Sequence, residues 1–339
     1  MKKVVIIIGI VGAVLAAYFG NKYFGSNVNS NLTDPYVNIP TGSNFDEVVK
    51  ILVDKGIIID EDSFRSLANR MKYAKPSMRA GRFKVKEGWS NYDLIKHLRA
   101  GEQSPVKVVL NYERLLEDIA GKAGKVLESD SLKLLQVFNN QQFLDSIGYS
   151  RDELMSIFIP DTYEMFWNIT PEKFVTRMLA ESKSFWEKND RLSKAKNMNM
   201  TPKQVYALAS IVEKESQNKE ERPTIAGVYL NRLNINMKLQ ADPTCVFASK
   251  DFETKRVTNY HLSFDSPFNT YMYNGLPPGP ISIASASSID AVLNRAPHNY
   301  LYFCAKADDS GTHAFAENLT GHNLNVAKYI QMLNAKGIK

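Results

Sequence analysis

The sequence predicts an α+β chain in three parts: an N-terminal transmembrane helix, a small βααβ subdomain and a larger mixed α/β domain. Three observations predict it. Residues 4–19 carry no charge. Residues 37–110 alternate short strand patterns with helix starts. Residues 111–339 begin as amphipathic helices and then, beyond Leu233, give way to Pro-, Gly- and aromatic-rich loops with short strand patterns. At 339 residues the chain is too long for one small core, so more than one compact unit is expected. The boundaries read as an anchor over 1–24, a tether over 25–36, the subdomain over 37–110 and the large domain over 111–339. Within the last, 111–200 is a helical lead-in and 201–323 holds the candidate site.

The anchor follows from Met1-Lys2-Lys3 ahead of VVIIIGIVGAVLAAYF. Sixteen helical residues rise about 24 Å, slightly short of the hydrocarbon thickness. Tyr18, Phe19, Tyr23 and Phe24 can extend the span as an interfacial aromatic belt. The two leading lysines predict a cytoplasmic start and an exported remainder. The competing reading is a signal peptide cut near Ala16-Ala17. The return of aromatic and basic residues over Gly20–Phe24 favours an uncleaved anchor. No cysteine follows the apolar run, which excludes a lipoprotein. Residues 21–35, rich in Asn and Ser and ending in Asp34-Pro35, read as a flexible tether.

Composition narrows the chemistry. Apolar residues at 44% and charged residues at 23% describe a folded chain, not a disordered one. The net charge of +6 is spread along the sequence, with no basic run interleaved with aromatics, so no nucleic-acid partner is expected. An anionic surface, such as a membrane or an acidic polymer, suits that charge better. Cys245 and Cys304 form no C-x-x-C pair, which excludes a zinc ribbon or thioredoxin motif, and two separate thiols are favoured over a disulfide. The five histidines show no H-E-x-x-H spacing, so no metal and no cofactor is assigned.

In the subdomain, Asn38-Ile39-Pro40-Thr41-Gly42 reads as a strand end and turn, and Ser43 caps a helix with acids in its first turn. Val48, Val49, Ile51 and Leu52 form that helix's apolar face, and Gly56 can end it. A second helix follows Asp62, with Phe64, Leu67, Ala68 and Met71 on one side. Gly81–Lys86 alternates like a strand, and Ser90-Asn91-Tyr92-Asp93 opens another helix carrying Leu94, Ile95 and Leu98. That start echoes Ser43-Asn44-Phe45-Asp46, an echo that convergence on good capping residues also explains. The patterning resembles the LysM-like subdomain of exported cell-wall proteins, and the resemblance implies glycan binding.

From 111 to 200 the helical stripes over Tyr112–Leu127, Leu132–Ile147 and Phe174–Trp186 read as core. Phe158-Ile159-Pro160-Asp161-Thr162-Tyr163 interrupts them as an ordered turn between helices.

The segment ALASIVEKESQNKEERPTIAGVYLNRL, residues 207–233, holds the central question. Thr201 and Pro202 start a helix that runs to about Ser216, with an inward stripe through Val205, Leu208, Ile211 and Val212. Four residues beyond Ile211 is Glu215, an acid on the face that packs inward. Glu213 lies roughly 200° around from Ile211 and is expected to face water beside Lys214. Glu220 and Glu221 precede the next helix, whose dipole favours them. A half-buried carboxylate at a helix end must be paired or functional. Burial raises its pKa and keeps it protonated near neutral pH, as a general acid requires. The helix from Pro223 turns Ile225, Val228, Tyr229 and Leu233 inward. Tyr300–Phe303 reads as a buried strand and Gly311–Phe315 as a hairpin strand. Polar and aromatic loops around one buried acid suit a sugar.

Ala209–Ser216, Glu221-Arg222, Val228–Leu233, Leu239–Thr244, Asn269–Tyr271, Gly275–Ile281, Leu301–Phe303, His313 and Pro160–Tyr163 together resemble the endolytic murein transglycosylase family, also called YceG-like. The likeness is dense over 201–323 and extends, with the apolar segment and the LysM-like stretch in order, to nearly the whole chain. It implies an enzyme anchored in the cytoplasmic membrane that cuts peptidoglycan glycan strands internally, with cell-wall synthases as partners at the membrane. Its catalytic glutamate is the second acid of Glu-Lys-Glu, which here is Glu215. The sequence departs from the family at Phe268, where Tyr is frequent, at Ile283-Ala284-Ser285, in place of a Pro-Gly turn, and after Leu110, where a Glu-Gly is missing. These departures bear on loops.

A glycoside hydrolase usually needs two carboxylates across the scissile bond. A lytic transglycosylase works with one, so Glu215 is expected to act as general acid and then as base. Asn231, Gln240, Thr244, Asn269 and Tyr271 are the expected substrate-binding groups, their amides and hydroxyls matched to acetamido and hydroxyl groups. Asp242 joins them as a contact or a second acid, although Asp before Pro more often shapes a turn. His313 holds substrate, orients Glu215, or is satisfied in the core. The alternative function is a non-catalytic, membrane-tethered glycan-binding scaffold for wall synthases.

Overall fold

Residues 2–308 and 310–337 are described by a computed structural model of the chain. The contacts divide it into two compact units. The first takes the chain through Val108 together with Gly124–Asp130 and Tyr163–Thr170, and the second takes the remainder.

The first unit contains α1 (Lys2–Phe24), β1 (Tyr36–Ile39), α2 (Phe45–Asp54), α3 (Glu61–Arg70), β2 (Gly81–Lys84) and α4 (Asn91–Ala100). The order from β1 to β2 is βααβ, and the two strands pair antiparallel, with Tyr36 opposite Lys84 and Ile39 opposite Gly81. The cap of α2 is Asn44, one residue after the expected Ser43. Its side chain accepts the Glu47 N–H while the Glu47 carboxylate accepts the Asn44 N–H, so both free donors are satisfied. Ser90 and Asp93 close the same box on α4. Val37, Ile39, Val48, Leu52, Phe64, Phe83, Leu94 and Ile95 are fully buried in one cluster.

Part of the stretch read as a tether belongs to this core. Val28 is fully buried, and the Asn27 side chain donates to Asn91 Oδ1 at 2.7 Å while accepting the Asp60 N–H at 2.7 Å. A buried Asn spliced into two backbone segments reads, in sequence, like any loop Asn. Among the described residues no helix is long and apolar enough to cross a membrane. The expected span, 4–19, includes 4, 5, 9 and 15–19, whose side chains lie outside the described set.

After β3 (Val106–Leu110), the chain forms α5 (Leu116–Gly124), α6 (Ser131–Phe138) and α7 (Gln141–Ile147). The expected continuous helix over 132–147 is broken at Asn139-Asn140, where Asn140 caps α7 by accepting the Phe143 N–H. The turn expected at Pro160 runs directly into β4 (Asp161–Met165). Next come α8 (Pro171–Glu187), α9 (Arg191–Asn197), α10 (Pro202–Glu215), α11 (Arg222–Asn234), α12 (Asp242–Ser249), α13 (Asn259–Leu262) and α14 (Ala286–Leu293). The chain ends in a hairpin of β5 (Tyr302–Ala305) with β6 (His313–Ala316), followed by α15 (Leu319–Ala335). The strand expected over 300–303 starts later and is half-buried.

The centre of the second unit is α10. Thr201 and Gln204 form its capping box, Pro202 supplies the first turn, and every residue from Val205 to Val212 is buried. It packs against α14, α11 and α12. A helix enclosed on all sides has no solvated face, and that decides where its terminal acids go.

Candidate active site

Two acids end α10, and they have different surroundings. Glu213 does not face water as expected. It pairs with Arg222 through 3.2 and 3.3 Å contacts, and accepts from Ser285 Oγ and Ser288 Oγ at 2.5 Å and from the Ser285 N–H at 3.2 Å. The 200° separation from Ile211 is real, but on an enclosed helix it points at α14 instead of at solvent. Burial pushes the Glu213 carboxyl up, yet the serine hydrogen bonds and the Arg222 charge outweigh it, and the group sits below its ordinary value. This is a structural knot, with all acceptors engaged and a buried cation partner.

Glu215 is the last residue of α10. Its neighbours are the phenol of Tyr229, which donates to Oε2 at 3.1 Å, and the charges of Asp242 and Arg232. Burial is the largest influence and raises the carboxyl, the Tyr229 hydrogen bond opposes it, Asp242 adds to it and Arg232 opposes it; the result is about 7. The C-terminal end of a helix carries partial negative charge, which disfavours the anion further. Among the described residues Oε1 accepts no hydrogen bond. An acid that is neutral at physiological pH, held by one oxygen and free at the other, is equipped to give a proton away.

Sequence reasoning treated Tyr229 as core only. It is buried, stacked edge-on to Phe303 at 5.8 Å, and its hydroxyl is the one side-chain hydrogen-bond partner of the Glu215 carboxyl among the described residues. The available signal was a tyrosine, not a phenylalanine, on an inward helix face, because a buried phenol needs a partner. Arg232 was likewise missed; its guanidinium is anchored on the Leu301 and Leu239 carbonyls at 2.6 Å each.

The other expected site residues divide. Tyr271 and Asp242 come together beside the acid: the Tyr271 hydroxyl donates to Asp242 Oδ1 at 2.5 Å, and both act electrostatically on Glu215 or feel it. Gln240 has an exposed side chain and a left-handed backbone, φ 49°, its N–H bound to the Thr270 carbonyl. Thr244 and Asn269 are fully buried and spend their groups on the protein. Thr244 Oγ1 donates to the Ala241 carbonyl, and Asn269 Nδ2 reaches the carbonyls of His261, Leu262 and Phe264 while its Oδ1 accepts the Tyr271 N–H. Asn269 therefore shapes the loop that presents Tyr271. Asn231 donates to the His298 and Tyr300 carbonyls. His313 meets Glu221, not Glu215: its N–H donates at 2.8 Å and its Nδ1 lies 3.1 Å from the carboxylate.

A cleft of about 220 Å³ is lined by Lys214, the residue before Glu215, by Asp242, whose charge acts on Glu215, and by Arg114, Phe247, Phe252 and Ile281. A second cleft of about 210 Å³ shares Arg114 and Phe247 with it and continues past Arg151, Lys250, Phe268 and Pro280. Among the described residues no cluster of three or more His, Cys, Asp or Glu could hold a metal ion. Both cysteines are free thiols.

Comparisons with known proteins agree on one family. Residues 37–328 match the YceG-like family. The chain is 28% identical, over 88% of its length and 86% of the relative's, to the endolytic murein transglycosylase of Bacillus subtilis. It is 29% identical to the protein of that name from Streptococcus pneumoniae over 94% of this chain, which spans 63% of that longer relative. The crystal structure of a yceG-like protein from Listeria monocytogenes superposes with a TM-score of 0.57 at 26% identity, covering 85% of this chain and 97% of that one. The family match takes in α10, the Tyr229 helix and the Asp242–Tyr271 loops together, and the chain belongs to the YceG-like family.

Proposed function

We propose that the chain is a membrane-anchored endolytic peptidoglycan lytic transglycosylase that cleaves the MurNAc–GlcNAc bond and leaves 1,6-anhydroMurNAc ends. One observation carries the reading: the half-buried Glu215 carboxyl, lifted to about 7 and held among the described residues through Oε2, lies within electrostatic reach of Asp242, which lines an open cleft. The names of the relatives from Bacillus subtilis and Streptococcus pneumoniae support it.

In this mechanism the proton of Glu215 passes to the glycosidic oxygen as its bond to C1 of MurNAc breaks. The Tyr229 hydrogen bond strengthens as the carboxylate forms, since a charged acceptor binds the phenol more tightly. The carboxylate then takes the proton of the C6 hydroxyl, whose oxygen bonds to C1 and closes the anhydro ring without water. The Asp242 carboxylate favours positive character at C1 while Tyr271 fixes its orientation.

The uncharged run 4–19 after Lys2-Lys3 supports a single pass through the cytoplasmic membrane, with the remainder on its outer side. The βααβ subdomain is then a LysM-like glycan-binding unit, and wall synthases at the membrane are the expected partners. The test is digestion of purified sacculi followed by mass spectrometry of the released fragments. Anhydro ends, absent with Glu215→Gln, are the expected result. Reducing MurNAc ends alone would reject the reading in favour of a hydrolase, and no release at all in favour of a binding scaffold.

A further inference from the structure

The cleft that Lys214 and Asp242 line carries two cations, Arg114 and Lys214, against one carboxylate. Lys214 and Arg114 line it, and both are half-buried. Among the described residues neither the Lys214 ammonium nor the Arg114 guanidinium donates a hydrogen bond or pairs with a carboxylate; Arg114 only lies 5.0 Å from the centre of the Phe252 ring. The nearby acids are committed elsewhere: Glu213 to Arg222, Glu113 to Lys122, and Asp242 to the Tyr271 hydroxyl. Burial holds Lys214 below its ordinary pKa, and the Arg114 charge is the next largest cause, so the two cations feel each other. Half-buried like charges that feel only acids already paired with other cations disfavour the folded state by themselves. An anion brought by a ligand reverses that sign.

We propose that Arg114 and Lys214 form a carboxylate-binding subsite that grips an acidic group of the glycan strand and so sets the sugar in register with Glu215. The proposal rests on the transglycosylase reading, which supplies the ligand chemistry. Murein strands carry carboxylates from two sources, the stem peptide and, where the peptide is missing, the lactyl side chain. Arginine offers a planar pair of donors to such a group and lysine a point charge, an arrangement suited to a carboxylate at the cleft wall.

The experiment uses the full chain in detergent and three substrates: un-cross-linked strands bearing peptides, strands stripped to free lactyl carboxylates, and stripped strands whose lactyl groups are converted to neutral methylamides. Wild-type protein is expected to cleave at least one anionic strand with kcat/KM about ten-fold above the neutral one. Whichever anionic strand is preferred identifies the source. Arg114→Gln with Lys214→Met should bring that ratio close to one, through KM more than kcat. Equal cleavage of all three strands by the wild type overturns the subsite and leaves the transglycosylase reading intact, a result independent of how the variant folds. So does a double variant that keeps the wild-type ratio. Cleavage of none of the strands overturns the enzymatic reading and the subsite with it.

Discussion

The phenol of Tyr229, from the middle of α11, donates to Oε2 of Glu215, the last residue of α10, across 3.1 Å. The relationship sets both the orientation and the acidity of the candidate proton donor. A hydrogen bond to the charged form lowers a carboxyl's pKa, and here it is the main force opposing burial. Without the hydroxyl, Glu215 should titrate above its present value of about 7. Tyr229→Phe is therefore expected to move the basic limb of the pH–kcat/KM profile upward. It should also cut the maximal rate about ten-fold, because the forming carboxylate loses a charge-assisted bond. A profile measured from pH 5 to 9 checks both effects; an unmoved basic limb shows that Glu215 does not govern it.

Glu215 also leaves a mark on stability. Its folded-state pKa is raised from 4.5 to about 7, so the native protein holds this proton more tightly than the unfolded chain. The cost of carrying the group is absent below pH 4.5, grows between 4.5 and 7, and is complete above 7. Glu215→Gln cannot ionise. It should match the wild type near pH 4 and exceed it at pH 8 by up to about 3 kcal/mol. Urea unfolding at the two pH values measures this, and a gap independent of pH would place the carboxyl in ordinary solvent.

Glu213 behaves in the opposite way. Its pKa is lowered by Ser285, Ser288 and Arg222 against the pull of burial, so its contribution is present above pH 4.5 and is lost as pH falls through the depressed value. Arg222→Met leaves that carboxylate without its buried cation and should cost about 3 kcal/mol. The rate per folded molecule should hold to within a factor of about two, since among the described residues neither Glu213 nor Arg222 hydrogen-bonds to Glu215 or Tyr229. Thermal unfolding and an activity assay normalised to folded protein separate the two quantities. A large loss of turnover with normal stability would make Glu213 part of the chemistry.

Periodicity was enough to set Glu215 apart, because a carboxylate on an apolar stripe is anomalous whatever lies opposite. It failed for Glu213, since the angle around α10 is informative only when one side of the helix meets water, and Val205–Val212 are buried all round. The capping boxes at Asn44, Ser90 and Thr201 are local and were legible to within a residue. The roles of Asn231, Thr244 and Asn269 were not legible: an amide or hydroxyl that shapes a loop and one that binds a sugar are the same residue type. Only the partners, the backbone carbonyls of His298, Ala241 and Phe264 among them, tell them apart. Burial of Val28 depended on distant residues in the same way.

The loop Gly275–Ile281 illustrates how a motif can be structural in origin and still act on the site. An added Cβ at Gly279 would fall 1.8 Å from the Asp152 carbonyl oxygen and 2.5 Å from its carbon, so backbone, not a flexible side chain, occupies the space. Pro278 and Pro280 flank the position, and their fixed φ angles leave the loop little room to relax. Asp152 and Pro280 both line the cleft that continues from Arg114. Gly279→Ala must therefore push the loop off Asp152, at a cost of about 2 kcal/mol, and widen that cleft. Under the proposed function this cleft would take further sugar units, which would lose contacts, so KM for long glycan strands should rise several-fold while kcat changes little, because the proton donor lies elsewhere. Steady-state kinetics on long and short strands tests this: the KM increase should shrink with the short substrate, and a uniform fall in kcat for both would mean that the loop instead supports Glu215.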